Sequence, residues 1–304
     1  MTRDLIYRIS ENEEGQKVST FLKGQGYSKQ CLVNLKKDPE AIIVNEKIVL
    51  LNHKLQKNDC LQVHMQEKEG SKQIIPVELP LEIVYEDEDL LVVNKAAGMP
   101  IHPSRNNPDN SLANALVYYY QQQNELFTFR CINRLDRDTS GLTIVAKNML
   151  SGALLGQMVA AKTQGNEAIP AIKREYRAIV QGHPSPEAGV IDAPIARQEE
   201  LDVERIVDYA RGDRAVTHYK VLKQQGDYSL VSLVLETGRT HQIRVHMKHL
   251  GYPLIGDYLY NPQAMDQISR QALHAYRLEF VHPITKEKME FVAPLPEDMR
   301  QILQ

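Results

Sequence analysis

The stretch Ile132-Asn-Arg-Leu-Asp-Arg-Asp-Thr-Ser-Gly-Leu142 places charged and turn-forming residues between two apolar runs. Asp136 stands between Arg134 and Arg137, and residues 138–141 favour a turn with side chain-to-backbone hydrogen bonds. The apolar residues on either side predict that this turn joins or ends buried strands. A carboxylate held at such a turn among cations keeps a fixed direction, which suits a nucleophile or a general base. The alternative is an ordinary surface turn with a salt bridge, so the rest of the chain has to decide.

Three other segments carry comparable patterns. Leu235 to Tyr260 reads Leu-Glu-Thr-Gly-Arg-Thr-His-Gln-Ile-Arg-Val-His, a helix-like stretch, then Gly-Tyr-Pro-Leu-Ile-Gly-Asp-Tyr-Leu-Tyr. Ile83 to His102 contains Val-Tyr-Glu-Asp-Glu-Asp-Leu-Leu-Val-Val-Asn-Lys and Gly-Met-Pro-Ile-His, and Lys173 to Gly182 contains Arg-Glu-Tyr-Arg-Ala-Ile-Val-Gln-Gly. Together the four segments resemble the RluA/RluD-type pseudouridine synthases, which isomerise uridine in ribosomal or transfer RNA. That family reads HRLDxxTSG in the first segment and GRTHQIRVH…LGxPIxGDxxY in the second. The resemblance covers roughly residues 80 to 296.

Composition places the chain among globular proteins of one large or two smaller domains. It has 304 residues, of which 42% are hydrophobic, enough for a sizeable core. The charged N-terminus lacks the apolar run of a signal peptide, and no stretch approaches the ~18 apolar residues of a membrane span. The cysteines Cys31, Cys60 and Cys131 lie far apart, which is typical of free thiols in a reducing compartment. We therefore expect a cytoplasmic protein without a membrane partner.

Charge is distributed unevenly along the chain. The formal net charge of −3 argues mildly against a nucleic-acid-binding protein, because such domains are usually basic. Residues 15–57, however, hold eight lysines against three acidic residues. A local basic surface is what phosphate contacts require, so Lys29, Lys36 and Lys37 are candidate RNA contacts.

Residues 12–65 are predicted to form a small α+β module. Val18, Phe21 and Leu22 recur at helical spacing, and alternating strands are predicted around residues 41–45 and 61–64. This order is similar to the S4-like (alpha-L) RNA-binding module that often precedes the catalytic domain in the family. The family's arginine-leucine-aspartate opening is replaced here by Val-Ser-Thr, and a lysine stands where an arginine is usual. A purely structural appendage remains the alternative.

The polar stretch 66–77 is interpreted as a linker, and residues 78–304 as the catalytic domain. Short β-branched runs dominate this part, with helical patterns near 109–123, 147–162 and 239–250 and a loop over 163–172. Many strands with few helices predict an α+β domain on a mixed, mostly antiparallel sheet. The resemblance implies the same fold, with the active-site cleft across the sheet.

The resemblance also implies which residues perform the chemistry. Pseudouridine formation breaks the N1–C1′ glycosidic bond, turns the uracil and rejoins it through C5, without net redox change or group donor, so no cofactor is required. Asp136 corresponds to the family's essential aspartate and would act either as a nucleophile or as a base at the ribose. Arg244 corresponds to the arginine that pairs with it, and a bidentate contact would orient the carboxylate. Tyr176 corresponds to the tyrosine that stacks on the target base, and its hydroxyl could relay the C5 proton.

Further residues are expected to contact RNA. The target uridine must leave its stack, and Arg134 corresponds to an arginine expected to fill or brace the vacated space. Lys95 and Arg239 are candidate phosphate contacts. Asn133 departs from the family pattern, which usually has histidine, and this puts the local support of the turn in doubt. Hydrogen bonds from Thr139 and Ser140 are expected to support the same turn.

Competing functions are less consistent with the sequence. A metal site could use His241, His246 and His249, but no acidic or cysteine partner has ligand spacing nearby. A serine hydrolase would use Ser140, yet the G-x-S-x-G elbow is absent around it. A non-catalytic RNA-binding or ribosome-assembly protein is the main alternative of another class. Within the enzyme interpretation, 23S ribosomal RNA is favoured over transfer RNA, and a monomer is the simplest expectation.

Overall fold

The computed structural model describes residues 1–164, 168–199 and 203–304. The helices are α1 (Val18–Gly24), α2 (Lys29–Lys36), α3 (Leu112–Gln121), α4 (Met149–Gln164), α5 (Gln242–His249) and α6 (Glu297–Ile302). The first strands are β1 (Thr2–Arg8), β2 (Ile42–Val44), β3 (Lys47–Ile48), β4 (Cys60–Gln66), β5 (Ile83–Glu86), β6 (Leu90–Lys95) and β7 (Ser140–Ala146). They are followed by β8 (Lys173–Gln181), β9 (Ala188–Asp192), β10 (Ile195–Arg197), β11 (Arg205–Val207), β12 (Val216–Gln225), β13 (Tyr228–Leu235), β14 (Leu273–Val281) and β15 (Lys288–Val292). None of the helices within the described ranges is long and apolar enough to cross a membrane.

The N-terminal module begins earlier than the sequence predicted. Strand β1 pairs with β4 along its whole length, from Thr2 opposite Gln66 to Arg8 opposite Cys60. In the described residues the module has an antiparallel sheet in the order β1-β4-β2-β3, covered by α1 and α2. The predicted boundary at residue 12 is therefore wrong, because it separates an edge strand from its sheet.

The module is packed against the catalytic part of the chain by helix α4. Leu150 of α4 belongs to the module's buried core, and Leu154 lies so close to Gly26 that a Cβ at Gly26 would come within 2.3 Å of it. The predicted linker 66–77 is also attached to the catalytic part. Glu67 accepts a hydrogen bond from Thr128 at 2.7 Å, and the Ser71 amide donates to the Phe127 carbonyl at 2.9 Å. The segment therefore lies along the domain surface and does not act as a free spacer.

The catalytic part contains the predicted mixed, mostly antiparallel sheet. Over the described ranges it has nine strands in the order β5-β6-β7-β14-β8-β13-β12-β9, with β15 also pairing with β14. Strands β7 and β14 run parallel, whereas the other neighbouring pairs are antiparallel. The predicted α+β class is thus confirmed. Helix α4 extends through Gln164, two residues into the loop predicted over 163–172, and residues 165–167 of that loop lie outside the described residues.

Gly141 explains how the motif turn enters the centre of this sheet. Strand β7 is buried along its whole length and pairs with β14 at only two positions, one of which is Gly141 opposite Ala275. The φ angle of Gly141 is +108°, and a Cβ there would lie 2.3 Å from the Ala275 carbonyl oxygen. Only glycine combines this backbone conformation with such a close approach. The turn carrying Asp136 is thereby held at the start of a central strand.

His274 supplies a second link between β7 and β14 and makes stability dependent on pH. Its Nε2 donates to the Ala293 carbonyl at 3.1 Å, so its Nδ1 accepts from the Ser140 hydroxyl at 2.9 Å, which requires a neutral ring. Burial lowers the pKa of His274 from 6.5 to about 4. The unfolded chain therefore binds more protons between these two pH values, and stability falls as the pH falls.

We expect the lowered pKa of His274 to reduce the free energy of unfolding by about 3 kcal/mol as the pH falls from 6.5 to 4. Its contribution should be fully present above pH 6.5. Urea denaturation of the wild type and of His274→Asn at several pH values measures it. The variant should lose stability less steeply over this range. Equal slopes for the two proteins would contradict the expectation.

Candidate active site

A cavity of about 640 Å³ opens beside the Asp136 turn. It is lined by residues from the turn, from α4, from the start of β8 and from the loop that enters α5. Asp136, Tyr176 and Arg244 all line it, as do Arg134 and Arg239. Segments more than a hundred residues apart in the chain are thus brought together in one pocket.

Asp136 presents its carboxylate to the pocket from a closed turn. The Thr139 amide donates to the Asp136 carbonyl at 3.1 Å, and 27% of the Asp136 side chain remains exposed. Arg244 Nη1 donates to Asp136 Oδ2 at 3.1 Å. His241 Nε2 lies 4.0 Å from the same oxygen. One carboxylate oxygen is therefore fixed by a cation while the side chain still reaches the open pocket.

The sequence interpretation expected a bidentate contact between Arg244 and Asp136. In the structure the bidentate partner of Arg244 is Asp257, and Asp136 accepts a single hydrogen bond. Nε donates to Asp257 Oδ2 at 2.7 Å and Nη2 donates to Asp257 Oδ1 at 2.8 Å. Burial alone would lower the pKa of Arg244, but its hydrogen bonds and charge interactions with Asp257 and Asp136 raise it above its usual value. Asp257 is fully buried and also accepts from the amides of Leu259 and Tyr260, both at 3.1 Å. It anchors the arginine, which then has one Nη free for Asp136.

Asp257 is a site residue that the sequence interpretation did not single out, and His241 was considered there only as a possible metal ligand. Both stand inside the second motif, Asp257 in its Gly-Asp pair and His241 directly before α5, so the motif itself was the available signal. The Tyr260 hydroxyl accepts from the Arg205 amide at 2.9 Å and lies 2.8 Å from His241 Nδ1. Burial lowers the pKa of His241, so its ring is held neutral beside Asp136.

Tyr176 contributes a flat wall to the pocket. It lies on β8 between Leu233 of β13 and Ala275 of β14, and only 5% of its surface is exposed. Burial raises the pKa of its hydroxyl. The hydroxyl is therefore protonated near neutral pH, and the ring is rigidly placed. Both properties suit a surface on which a base stacks.

The two arginines near the mouth of the pocket differ in their contacts. Arg134 is exposed on the turn, two residues before Asp136. Arg239 is partly tied to its surroundings, since its Nε donates to the Arg214 carbonyl at 3.0 Å and its Nη1 lies 3.3 Å from Asp213 Oδ2. Both line the pocket, and Arg134 is the more exposed of the two.

Lys95 is not available as a phosphate contact, which corrects the sequence interpretation. Its side chain is 1% exposed, and Nζ donates to the carbonyls of Ala96, Met99 and Arg137 at 2.8, 2.7 and 2.9 Å. Burial lowers the pKa of Lys95 to about 7, although the nearby Asp138 and Asp136 carboxylates oppose that fall. Lys95 instead joins the 96–99 loop to the turn that carries Asp136.

The supports of the turn also differ from expectation. The Ser140 hydroxyl bonds His274, and Thr139 Oγ1 accepts from Gln271 Nε2 at 3.3 Å, so neither hydroxyl closes the turn itself. Asn133, the departure from the family pattern, is buried and bonds the strand that follows. Its Nδ2 donates to the Leu142 carbonyl at 3.1 Å and its Oδ1 accepts from the Ile144 amide at 2.8 Å. The asparagine thus supplies the local support that the missing histidine had put in doubt.

The other predicted residues lie outside the pocket. Lys29, Lys36 and Lys37 are exposed on and just after α2 and do not line the cavity. Of the histidines considered for a metal, His246 is fully buried and uses Nδ1 for Thr217 and Nε2 for the Ala193 carbonyl, each at 2.9 Å. Both ring nitrogens are therefore occupied by protein hydrogen bonds.

Asp87, Asp89 and His282 form a second histidine–carboxylate group, with ligand atoms within 4.8 Å of one another. His282 Nδ1 accepts from the amides of Ile284 and Thr285, and its Nε2 lies 2.9 Å from Asp87 Oδ2 without making a hydrogen bond. Asp89 accepts from Arg3, Asn148 and Ser151. These contacts explain the group as a hydrogen-bonded structural cluster.

Comparison with known proteins identifies the family. The model of the RNA pseudouridylate synthase family matches residues 89–249, which include the pocket residues from the Asp136 turn to α5. The chain belongs to this family. It is therefore an RNA pseudouridine synthase, an isomerase that acts on RNA.

Individual relatives extend the match to nearly the whole chain. The chain is 40% identical to the uncharacterized RNA pseudouridine synthase YjbO of Bacillus subtilis, over 92% of this chain and 95% of that protein. It is 34% identical to ribosomal large subunit pseudouridine synthase D of Escherichia coli K12, over 99% and 93% of the two chains. The solved structure of human RNA pseudouridylate synthase domain containing 1 is 29% identical, with a TM-score of 0.56 over 75% of this chain and 86% of the human one. The RluA/RluD-type resemblance and the fold of this pseudouridine synthase are thus confirmed.

Proposed function

We propose that this pseudouridine synthase modifies 23S ribosomal RNA and that Asp136 performs the step at the ribose. The single observation that carries the assignment of Asp136 is its place in the pocket, where Arg244 holds one carboxylate oxygen at 3.1 Å. The other oxygen can reach a nucleoside in the cavity. It would either attack C1′ or remove a proton from the ribose, and the uracil would then turn and rejoin through C5.

The remaining pocket residues fit a flipped nucleotide. Tyr176, which lines the pocket, would provide the stacking surface for uracil, and its hydroxyl would relay the C5 proton. Arg134, exposed beside the pocket, would fill or brace the space that the uridine leaves, while Arg239 would contact phosphate. Flipping costs a few kcal/mol, which such contacts offset.

The choice of ribosomal RNA rests on the relatives and on charge. Several relatives bear the name ribosomal large subunit pseudouridine synthase D, including those of Escherichia coli and Yersinia pestis. The exposed lysines Lys29, Lys36 and Lys37 of the N-terminal module would add phosphate contacts outside the pocket. The S4-like character of this module, the cytoplasmic location and the monomeric state stay predictions. Transfer RNA is the alternative substrate.

A pseudouridine map of total RNA tests the proposal directly. RNA from cells with and without the gene is chemically marked at pseudouridine and sequenced. We expect one or a few uridines of 23S ribosomal RNA to lose the mark without the gene and to regain it with the wild-type gene but not with Asp136→Asn. Loss in transfer RNA instead would transfer the proposal to that substrate. No lost site in any RNA, despite good expression, would favour a binding or assembly role.

A further inference from the structure

Arg174 is a buried arginine that the assignment above does not use. It lies on β8, lines the same pocket as Asp136 and is only 7% exposed. Its Nε is buried and has no hydrogen-bond partner among the described residues. In the same part of the chain, no carboxylate oxygen comes within the 4.0 Å of a salt bridge to its guanidinium. Among the described residues, the protein thus provides no hydrogen-bond or carboxylate partner for this pocket cation.

Two other arginines of the pocket, Arg244 and Arg239, have protein partners. Arg244 is bound by two carboxylates, and Arg239 lies beside Asp213 and bonds a carbonyl. Burying a guanidinium without a partner costs free energy of folding, because the charge loses its hydration and gains nothing in return. Such a cost is usually tolerated where the group acts on a ligand. Arg174 lines the cavity, so its guanidinium is a candidate donor to whatever occupies that space.

Strand geometry indicates which part of the substrate this would be. Arg174 and Tyr176 are two residues apart on β8, so their side chains project from the same face of the sheet, about 7 Å apart. If Tyr176 stacks on the uracil, the guanidinium lies beside the edge of the base. The pocket lining also includes the apolar side chains of Ile243, Leu235 and Leu273. A phosphate would more readily meet Arg134 and Arg239 at the mouth.

We propose that Arg174 is a catalytic residue that donates hydrogen bonds to a carbonyl oxygen of the uracil and stabilises the anion formed on glycosidic cleavage. This inference rests on the proposed function. When the N1–C1′ bond breaks, its electron pair stays with the uracil and is shared between N1, O2 and O4. A preorganised cation in a site screened from water stabilises such developing charge more than water would.

The step balances with either role of Asp136. The carboxylate forms a bond to C1′ and later leaves it, or it takes a ribose proton and later returns it. In both cases the uracil departs as an anion, C5 then bonds to C1′, the C5 proton leaves, and N1 gains a proton. Arg174 keeps its own protons throughout and acts through hydrogen bonding and charge.

Gly238 holds Arg174 in its position. A Cβ at Gly238 would lie 2.9 Å from Arg174 Nη1, so the loop that enters α5 lies directly against the guanidinium. Its φ angle is not in the left-handed region, and alanine could adopt the backbone without strain. Gly238→Ala should therefore displace the guanidinium by a small distance while leaving its charge in the pocket.

Replacement of Arg174 combined with a change of leaving group tests the proposal. Short transcripts carrying the uridine identified by the RNA map are made with uridine or with 5-fluorouridine, whose fluorine makes the uracil anion more stable. With enzyme at saturation, Arg174→Met should lower the single-turnover rate constant for uridine about 10²-fold. The loss should be clearly smaller for 5-fluorouridine, measured as its disappearance by nucleoside mass spectrometry. RNA affinity should change little.

Controls separate this role from a structural one. Arg177→Met is the matched variant, since Arg177 lies on the opposite face of β8 and pairs with Glu175, and it should keep the wild-type rate constant. The melting temperature of Arg174→Met should equal or exceed that of the wild type, because an unpaired buried charge is removed. Arg174→Lys and Gly238→Ala should give intermediate rate constants and provide the comparison if the methionine variant does not fold.

Three results would overturn the proposal. Equal losses with uridine and 5-fluorouridine would show that Arg174 does not stabilise the leaving uracil. A loss of RNA affinity with an unchanged rate constant at saturation would make it a phosphate contact. A wild-type enzyme inactive on the mapped uridine would refute the proposed function itself, and this is seen before any Arg174 variant is measured.

Discussion

The variant Asp136→Asn is expected to lose pseudouridine formation by at least about 10⁴-fold while it still binds the RNA. Asparagine has the shape of aspartate and can still accept the hydrogen bond from Arg244 Nη1, which is now 3.1 Å from Asp136 Oδ2. The turn should therefore keep its conformation. The amide can neither attack C1′ nor remove a ribose proton, so the chemical step is lost. Single-turnover conversion of the mapped uridine and a filter-binding titration measure the two effects separately.

Asp138 offers the matched control for this variant. It lies on the same turn, but its carboxylate is paired with Arg137 Nε and Nη2 at 2.9 and 2.8 Å and does not line the pocket. Asp138→Asn should keep most of the activity, because the ion pair it removes lies largely at the surface. Conversion by Asp136→Asn at a rate close to that of the wild type would contradict the assignment. Equal losses in both variants would point to damage of the turn and not to a lost catalytic group.

The sequence predicted the parts of this site that depend on local pattern. The turn around Asp136, the buried strand after it and the helix that carries Arg244 follow from turn-forming residues and apolar spacing, and all three are present. That Asp136 and Arg244 meet was implied by the resemblance to the family. The periodicity of the chain says nothing about a contact between residues 108 positions apart.

Burial of charged groups was the least predictable feature. In the sequence, Lys95 and Arg174 look like ordinary charged surface residues. Only the folded structure shows that Lys95 is enclosed by backbone carbonyls and that Arg174 is buried in the pocket wall. The N-terminal boundary failed for a similar reason. The side chains of residues 2–8 alternate only between exposed and half-buried, so this strand has no strongly apolar face. Its place in the module depends on pairing with β4, more than fifty residues later.

Asp257→Asn is expected to have the second large effect, on stability and activity together. Asp257 is fully buried and is the bidentate partner of Arg244, so the substitution places an amide N–H against a guanidinium donor and leaves a buried cation poorly compensated. Breaking one side of such a pair costs about 3–5 kcal/mol of unfolding free energy. Because Arg244 would no longer be held toward Asp136, we also expect the rate constant to fall about 10²-fold, with a smaller change in RNA affinity. Urea denaturation and single-turnover kinetics measure these losses.

Two comparisons distinguish anchoring of Arg244 from a general loss of structure. Asp213, 73% exposed and 3.3 Å from Arg239, forms an ion pair at the rim of the same pocket, and Asp213→Asn should leave stability nearly unchanged because surface pairs contribute little. The double variant Arg244→Met with Asp257→Leu removes both buried charges and should regain much of the stability lost in Asp257→Asn, since apolar replacement of a buried pair is often neutral or stabilising. It should nevertheless stay inactive, because Asp136 has lost the guanidinium that orients it. A double variant that recovers activity along with stability would show that the Arg244–Asp257 pair serves the fold alone.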